Sequence, residues 1–430
     1  MEVRIEKLVY GGDGLAHHEG QTVFVPLVLP GELVRIASTA RKKKFVRGRL
    51  DHVLEASPDR IVAPCPYFGR CGGCQYQHIS YPAQLRYKAD ILRETLSRIG
   101  HVRWEGPIGT HASPPFGYRN RAQWKIRAVH GANARAAGIG YFEAGSTRLC
   151  AVDECAILSP RLAEIFAKLR SLLTSNKSVS AIDEIEAFCD SADETVLLNL
   201  SAERLNESPE AIATALRESM PGVESILVQD RHADQFELFG PGHLPYTAGG
   251  FAYRVGHLSF FQINRFLIDG LIEAVVSDSR GRLALDLFAG VGLFTVPLAK
   301  RFDRVVGVES NPAAAKDLEA NLQLSGGASL AHRHMTAEAF LSHWHEKPDL
   351  IILDPPRAGV APETLARLTK LAPWRINYVS CDPATLARDL ATLVGAPEKP
   401  GPYEIRDIYV FDIFPQTYHM EALVRLKRRT

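Results

Sequence analysis

The chain has 430 residues with a formal net charge of +1, and its 46% hydrophobic and 23% charged residues are ordinary for a globular protein of about two to four domains. Near-neutral charge excludes a protein-wide attraction to nucleic acid, so any contact with a polyanion must come from local basic patches. A charged start and the absence of an apolar run near the roughly 18 residues of a membrane span predict a cytoplasmic protein without a membrane partner.

The first 56 residues predict a small β-barrel, because short strands at residues 3–8, 22–28 and 33–36 alternate with glycine and proline turns. A basic hairpin at residues 41–49 carries one aromatic side chain, Phe45. Such a hairpin can track a phosphate backbone and stack a base, although a lysine-guarded edge strand has the same composition. The runs GGDGLA and VFVPLVLPGELV, together with this hairpin, resemble the TRAM domain, an RNA-binding barrel of the OB-fold type, which favours RNA.

A cysteine-rich segment, CPYFGRCGGC, follows the linker at residues 57–60. Cys65, Cys71 and Cys74 can direct their thiolates to one centre, and thiolate-only sites of this kind bind zinc or an iron–sulfur cluster. Neither a fourth cysteine nor a pair of histidines is adjacent, so the fourth ligand must come from a distant part of the chain. The candidates are Cys150, Cys155 and Cys189.

Two segments of the central region have distinct patterns. Residues 80–100 predict an amphipathic helix with Ser80 as its N-cap and Gly100 as its C-cap. Residues 118–127 alternate basic and aromatic side chains, a pattern that can present stacking and phosphate-binding groups to RNA. A half-buried strand with a charged outer face explains the same alternation, and the sequence leaves both interpretations open.

The C-terminal region is organised around a nucleotide-binding turn. An apolar strand ending at Phe288 runs into the turn AGVG, residues 289–292, and then into an apolar helix, so the backbone can approach a ligand at a helix N-terminus. The turn lacks the third glycine of GxGxxG, which disfavours NAD and FAD. Glu309 ends the next strand, where a carboxylate accepts hydrogen bonds from ribose hydroxyls. With no phosphate-binding lysine in the turn, S-adenosylmethionine fits better than ATP.

Asp354, Cys381 and Glu421 are the candidate residues for the chemical reaction. Asp354 and Cys381 each follow a predicted strand, and the carboxyl ends of parallel strands line the crevice of an open sheet. A thiolate there can add to carbon 6 of a pyrimidine, because carbon 5 by itself is too weakly nucleophilic to take a methyl group. A base must then remove the carbon-5 proton, and Glu421 on the final strand is the candidate. In methyltransferases that act on exocyclic amines an aromatic residue follows the two prolines, and Arg357 replaces it here, which argues against such a target.

The ordered motifs DLFAGVGLF, DPPR, SCDPATLARDL and HMEALVRL resemble those of the RNA uracil-5-methyltransferases, and CPYFGRCGGC resembles the 4Fe-4S motif of that family. With the N-terminal barrel, the resemblance covers essentially the whole chain and points to the iron–sulfur, TRAM-containing type that acts on 23S ribosomal RNA. It implies Cys381 as nucleophile, Glu421 as proton acceptor and Cys155 as the fourth cluster ligand, with Cys150 and Cys189 as core residues. The implied contacts to S-adenosylmethionine are Gln262, Phe288, Gly290, Glu309 and Asp354.

Three positions depart from the family pattern. Thr336 stands where an acidic residue near the adenine is frequent, Asp382 follows the nucleophile where Asn is usual, and Ala289 replaces a common cysteine. A carboxylate at Asp382 is expected to raise the pKa of the neighbouring thiol.

The sequence therefore predicts an α/β protein in three parts. These are an OB-fold TRAM barrel over residues 1–58, an α+β iron–sulfur domain over residues 59–255, and a doubly wound Rossmann-like methyltransferase domain over residues 256–430. The predicted reaction transfers a methyl group from S-adenosylmethionine to carbon 5 of a uridine in RNA. Barrel and cluster together favour 23S ribosomal RNA, with transfer RNA as the alternative. A 5-methylcytosine enzyme and a non-catalytic iron–sulfur RNA-binding protein are the rivals, and no obligate protein partner is indicated.

Overall fold

The computed structural model describes residues 1–41, 45–131, 134–175, 181–277, 279–326 and 329–430, so the predicted lysines 42–44 of the basic hairpin lie outside the described residues. The strands of the N-terminal and central regions are β1 (Glu2–Arg4), β2 (Lys7–Leu8), β3 (Asp13–His18), β4 (Gln21–Pro26), β5 (Leu33–Arg41), β6 (Phe45–Glu55), β7 (Ile108–His111), β8 (Arg121–Gly131), β9 (Ala134–Phe142), β10 (Leu149–Ala151), β11 (Glu184–Cys189), β12 (Val196–Ala202), β13 (Val223–Asp230), β14 (Gln235–Phe239), β15 (His243–Ala248) and β16 (Phe251–Gly256). Those of the C-terminal region are β17 (Gly281–Leu287), β18 (Phe302–Glu309), β19 (Leu330–His334), β20 (Leu350–Leu353), β21 (Arg375–Ser380), β22 (Gly395–Ala396), β23 (Lys399–Pro400), β24 (Tyr403–Phe411) and β25 (Glu421–Arg428). The helices are α1 (Tyr81–Gly100), α2 (Pro160–Ser175), α3 (Pro209–Ser219), α4 (Ile268–Val276), α5 (Thr295–Leu298), α6 (Pro312–Leu324), α7 (Ala337–His343), α8 (Pro362–Leu371) and α9 (Pro383–Leu393).

The N-terminal strands form one six-stranded sheet in the order β1-β5-β6-β4-β3-β2. Its short strands alternate small branched residues with polar ones, which suits a sheet with one buried face. Most buried residues of this region form a core of their own, whereas Leu8 and Leu29 pack in the core of the C-terminal sheet. The members of the N-terminal core are Val3, Ile5, Ala16, Val23, Val25, Val28, Val34, Ile36 and Val46.

The central sheet has seven strands in the order β10-β9-β8-β11-β12-β13-β14, and the apolar faces of α2 and α3 contribute to its core. Trp124 of β8 is fully buried and donates to the Tyr141 hydroxyl at 3.0 Å. Arg121, on the opposite face of β8, pairs with Glu186 of β11 at 2.5 Å. The prediction that the aromatic residues of this segment stack on RNA is therefore wrong for Trp124, because its indole is needed in the core; the charged-outer-face alternative describes β8.

The C-terminal sheet has eight strands in the order β19-β18-β17-β20-β21-β25-β24-β7. Strands β17 to β21 run parallel, whereas β25 is antiparallel to both of its neighbours. One face packs against α1, α7, α8 and α9, and the other against α4, α5, α6 and the β15–β16 hairpin. The predicted doubly wound sheet is thus present. Among the described residues, no helix combines the length and the apolar character that a membrane crossing requires.

The C-terminal sheet also contains elements from outside the segment that was predicted for the C-terminal domain. Helix α1, predicted at residues 80–100, packs on α9, and β7 pairs in parallel with the edge strand β24. Both elements lie within residues 59–255, the predicted central domain, but they pack with the C-terminal sheet. Packing of α1 buries apolar residues such as Leu92 and Leu96, which would otherwise face solvent.

Candidate active site

The turn after β17 has the conformation of a ligand cradle. Phe288 has φ of 70°, a conformation that costs a non-glycine residue free energy and is concentrated at functional sites. A Cβ on Gly290 would meet no atom within 4 Å, whereas one on Gly292 would lie 2.8 Å from the Leu318 side chain. Gly290 therefore faces open space, and Gly292 permits close packing of the turn against α6.

Three carboxyl groups lie around this turn at the carboxyl edge of the sheet. Asp286 is fully buried near the end of β17, Asp354 follows β20, and Glu309 ends β18. Burial raises the pKa of Asp286 to about 7; burial together with Asp286 raises that of Asp354 to about 7. Thr295 donates to one Asp286 oxygen at 2.6 Å, and the other has no partner among the described residues. Clustered, desolvated carboxyl groups of this kind favour a cationic ligand.

Sequence reasoning assigned no role to Asp286, although the signal was present as a carboxylate inside an otherwise apolar strand. The predicted ligand residue Glu309 occupies the same edge. Glu309 accepts from the backbone N–H of Gly290 at 2.8 Å and of Asn311 at 2.6 Å, which ties the second strand to the turn. Gln262 is buried in the segment before α4. Asn264 holds that segment by donating to the carbonyl of Ile413 at 3.2 Å.

Cys381 and Glu421 face each other across two adjacent strands. Ser380 pairs with Ala422 in the antiparallel β21–β25 ladder, so Cys381 and Glu421 occupy the next position on each strand. Burial raises the pKa of the Cys381 thiol to about 11, and the carboxyl groups of Glu421 and Asp354 add to the rise. Burial and Asp354 raise the pKa of Glu421 well above its usual value, and the Arg357 guanidinium opposes the rise at both groups. A thiol, two carboxyl groups and one guanidinium thus interact in a single cleft.

Asp382 and Thr336, the two polar departures from the family pattern, are both helix caps. Asp382 accepts from the backbone N–H groups of Ala384 and Thr385 at 2.9 Å at the start of α9. Thr336 accepts from Ala339 at the start of α7. The carboxyl groups that raise the pKa of Cys381 are Glu421 and Asp354, so the effect expected of Asp382 comes from other residues.

A second cysteine site lies in the central region, where four cysteines line one cavity of about 190 Å³. The four are Cys65, Cys71, Cys74 and Cys155. Burial, with a smaller contribution from the neighbouring thiols, raises the pKa of Cys71 to about 11 and that of Cys74 to about 12. Cys150 and Cys189 are fully buried in the core of the central sheet. Within the described ranges, no three Cys, His, Asp or Glu side chains are arranged to bind one metal ion together.

The cavity supplies hydrogen-bond donors to its sulfur atoms. The backbone N–H of Gly73 donates to Cys71 Sγ at 3.4 Å, and the Tyr141 hydroxyl donates to Cys155 Sγ at 3.5 Å. Donors of this kind stabilise thiolates, and hydrogen bonds to sulfur are characteristic of iron–sulfur sites. The donor set therefore fits a group held by thiolates and spread over the width of the cavity.

Comparison with known proteins matches two family models to this chain. Residues 80–429 match the tRNA (uracil-5-)-methyltransferase family, and residues 1–50 match the TRAM domain. The first match contains the nucleotide-binding turn and the edge that carries Cys381 and Glu421. The second coincides with the N-terminal sheet.

Relatives and solved structures match over nearly the full length. The 23S rRNA (uracil(1939)-C(5))-methyltransferase RlmD of Alkalilimnicola ehrlichii is 34% identical, with 99% of this chain and 96% of that protein covered. An uncharacterized RNA methyltransferase of Aquifex aeolicus is 33% identical, covering 99% and 98%. The crystal structure of Pyrococcus abyssi tRNA (uracil-54, C5)-methyltransferase in complex with S-adenosyl-L-homocysteine superposes with a TM-score of 0.76 at 26% identity, covering 99% of this chain and 100% of that one.

Proposed function

This chain belongs to the tRNA (uracil-5-)-methyltransferase family, which transfers a methyl group from S-adenosylmethionine to carbon 5 of uracil in RNA, and we propose that Cys381 and Glu421 perform its covalent steps on ribosomal RNA. The observation that carries the proposal is the position of the two residues, with Cys381 directly after β21 and Glu421 at the start of the neighbouring β25, at the edge that holds the nucleotide-binding turn.

In the proposed mechanism, the Cys381 thiolate forms a bond to carbon 6 of the uracil, and the electrons of the carbon 5–carbon 6 double bond move into an enolate. Carbon 5 then attacks the sulfonium methyl carbon, and S-adenosylhomocysteine leaves. The Glu421 carboxylate removes the proton on carbon 5. The double bond forms again and expels the Cys381 thiolate, which leaves 5-methyluridine in the RNA. Release of the proton from Glu421 to solvent then returns the enzyme to its starting state.

The charges of the site support these roles. Asp286, Glu309 and Asp354 form an acidic edge that complements the positive sulfonium and amino groups of the methyl donor. The Arg357 guanidinium opposes the rise in the pKa of Cys381 and of Glu421, which favours the ionised form that each step needs. The proposed donor contacts are Gln262, Phe288, Gly290, Glu309 and Asp354.

We further propose that the cavity lined by Cys65, Cys71, Cys74 and Cys155 holds a 4Fe-4S cluster. In such a cluster each iron takes one thiolate, so the four sulfurs surround the group instead of converging on a single ion. The size of the cavity and its donors to sulfur support this assignment. When bound, the cluster would cross-link the loop at residues 65–74 to the segment around Cys155. The N-terminal sheet is proposed to be the OB-fold RNA-binding barrel.

Full-length similarity to 23S rRNA methyltransferases supports ribosomal RNA as the substrate, whereas the similar crystal structure is that of a transfer-RNA enzyme. The test is incubation of purified protein with labelled S-adenosylmethionine and, separately, ribosomal and transfer RNA lacking 5-methyluridine. Nucleoside analysis is expected to find labelled 5-methyluridine in 23S RNA, and none with the Cys381→Ala variant. Label in transfer RNA alone would overturn the substrate, and unchanged label with the variant would overturn the nucleophile.

A further inference from the structure

The side chain of Tyr10, in the N-terminal region, contacts the edge of the C-terminal sheet that carries Cys381 and Glu421. Tyr10 lies in the turn between β2 and β3, and its hydroxyl donates to the backbone carbonyl of Cys381 at 3.2 Å across 371 positions of the chain. Its ring contacts the Tyr418 ring edge-on, with centroids 5.6 Å apart and an interplanar angle of 89°. Tyr10 therefore contacts both segments that carry the proposed nucleophile and base.

The glycine turn next to Tyr10 packs against the same tyrosine, Tyr418. Gly12 has φ of 91°, and a Cβ there would lie 3.4 Å from the Tyr418 ring. The same catalytic segment is held from the other side, where the backbone N–H of Tyr76 donates to the Gln416 carbonyl at 2.9 Å. The segment before Glu421 is thus fixed by residues from the first 80 positions of the chain.

The contact to Cys381 falls at the point where strand becomes helix. Strand β21 ends at Ser380, and Asp382 is the N-cap of α9, so Cys381 is the single residue between the two elements. Its side-chain direction depends on the orientation of the peptide that Tyr10 holds. Burial raises the pKa of Tyr10, with Asp382 adding to the rise, so its hydroxyl remains a donor across the neutral range.

We propose that Tyr10 is a positioning residue for the methyl-transfer reaction. Its hydroxyl fixes the peptide of the nucleophile, and its ring fixes the segment that leads to the general base. The N-terminal domain then acts in the chemical step as well as in RNA binding. The inference rests on the proposed roles of Cys381 and Glu421. Displacement of a reacting group by about 1 Å can cost roughly 100-fold in rate, so loss of a single tether should be measurable.

The test compares Tyr10→Phe with Tyr87→Phe. Tyr87 lies on α1 and its hydroxyl donates to Asp59 at 2.6 Å, so this variant is a matched loss of one hydroxyl. The reaction is followed in a single turnover with saturating RNA that contains 5-fluorouridine. The general base cannot remove fluorine from carbon 5 as it removes a proton, so the reaction stops at the covalent adduct. Tyr10→Phe is expected to slow adduct formation about 5- to 20-fold, with RNA affinity and Tm unchanged. Tyr87→Phe is expected to match the unaltered protein.

The outcomes separate this inference from the proposed function. Unaltered protein that forms no adduct, or an adduct that survives Cys381→Ala, would overturn the nucleophile itself. An adduct that depends on Cys381 but forms at the normal rate in Tyr10→Phe would overturn only the role of Tyr10. A defect that disappears at saturating RNA would also overturn it, because Tyr10 would then contribute to binding alone. Tyr10→Leu, which removes the ring as well, is expected to be slower than Tyr10→Phe.

Discussion

The edge of the C-terminal sheet that carries Cys381 and the cavity lined by four cysteines both present thiols, but the surroundings of these thiols differ. Cys381 stands between strand and helix, where Glu421, Asp354 and Arg357 act on it. The cavity cysteines are surrounded by one another and by donors such as Gly73 and Tyr141. Charged neighbours let a thiol change its protonation state during a reaction, whereas donors aimed at sulfur favour a permanently bound thiolate. Surroundings, and not the cysteine itself, thus separate a proposed nucleophile from a proposed ligand.

The largest expected effect separates the two sites directly. Cys381→Ala should reduce methyl transfer by roughly 10³-fold or more, because it removes the thiolate that forms the bond to carbon 6. Its iron content should equal that of the unaltered protein, since the cavity is a separate site. Tritium transfer from labelled S-adenosylmethionine and iron analysis measure the two properties. A variant that loses iron together with activity would show that the two sites are not independent.

Glu421→Gln should slow turnover by about 10²- to 10⁴-fold while leaving the first covalent step intact. The protein–RNA adduct should therefore accumulate on ordinary RNA and be visible on a denaturing gel. Turnover near the normal rate would rule out Glu421 as the proton acceptor.

The same variant should be more stable at alkaline pH. Because the folded-state pKa of Glu421 lies above the unfolded value, the carboxyl group destabilises the fold as pH rises through the interval between the two. Gln does not ionise, so Tm at pH 8 should rise by about 1–3 °C, and the difference should vanish near pH 4. A lower Tm at pH 8 would contradict this account.

Within the cavity, Cys155→Ala and Cys150→Ala form a matched pair. Cys155 lines the cavity, whereas Cys150 is buried in the core and accepts from Arg70 at 3.2 Å. Anaerobically purified Cys155→Ala should lose more than about half of its iron and sulfide, and Cys150→Ala should retain both. The reverse result would make Cys150 the fourth ligand.

The raised pKa of Cys381 predicts a pH dependence in the protein without ligands. Alkylation of this thiol by iodoacetamide should accelerate about tenfold per pH unit from pH 7 to 9, because only the thiolate reacts and its pKa is about 11. Peptide mass spectrometry reports the labelled position. A rate that levels off below pH 8 would show that Arg357 outweighs burial and the two carboxyl groups.

The smallest expected effect is that of Asp382→Asn. Asparagine caps a helix about as well as aspartate, and Asp382 is not among the groups that raise the pKa of Cys381. Activity and Tm should change by less than about twofold and 2 °C respectively. A large gain in activity would contradict this account and would show that the Asp382 carboxylate raises the pKa of the Cys381 thiol, as expected from the sequence.

Local patterns sufficed for much of the fold. The helix over residues 80–100 is confirmed, because hydrophobic periodicity acts within a few residues; its C-cap is His101, with φ of 53°, and not the predicted Gly100. The charged and aromatic alternation at residues 118–127 was ambiguous for the same reason. Only the core around Trp124 decides which face of β8 is buried.

By itself, the sequence determined that a strand leads into a glycine turn at residues 288–292 and that Asp354 and Cys381 follow strands, since chain order and spacing carry this information. Tertiary structure alone decided that antiparallel β25 lies beside β21, which places Glu421 opposite Cys381. It also brought Cys155 to the cavity of the other three cysteines and Tyr10 to Cys381, the proposed nucleophile. These contacts join residues far apart in the chain, and they depend on sheet order and packing, which no local pattern encodes.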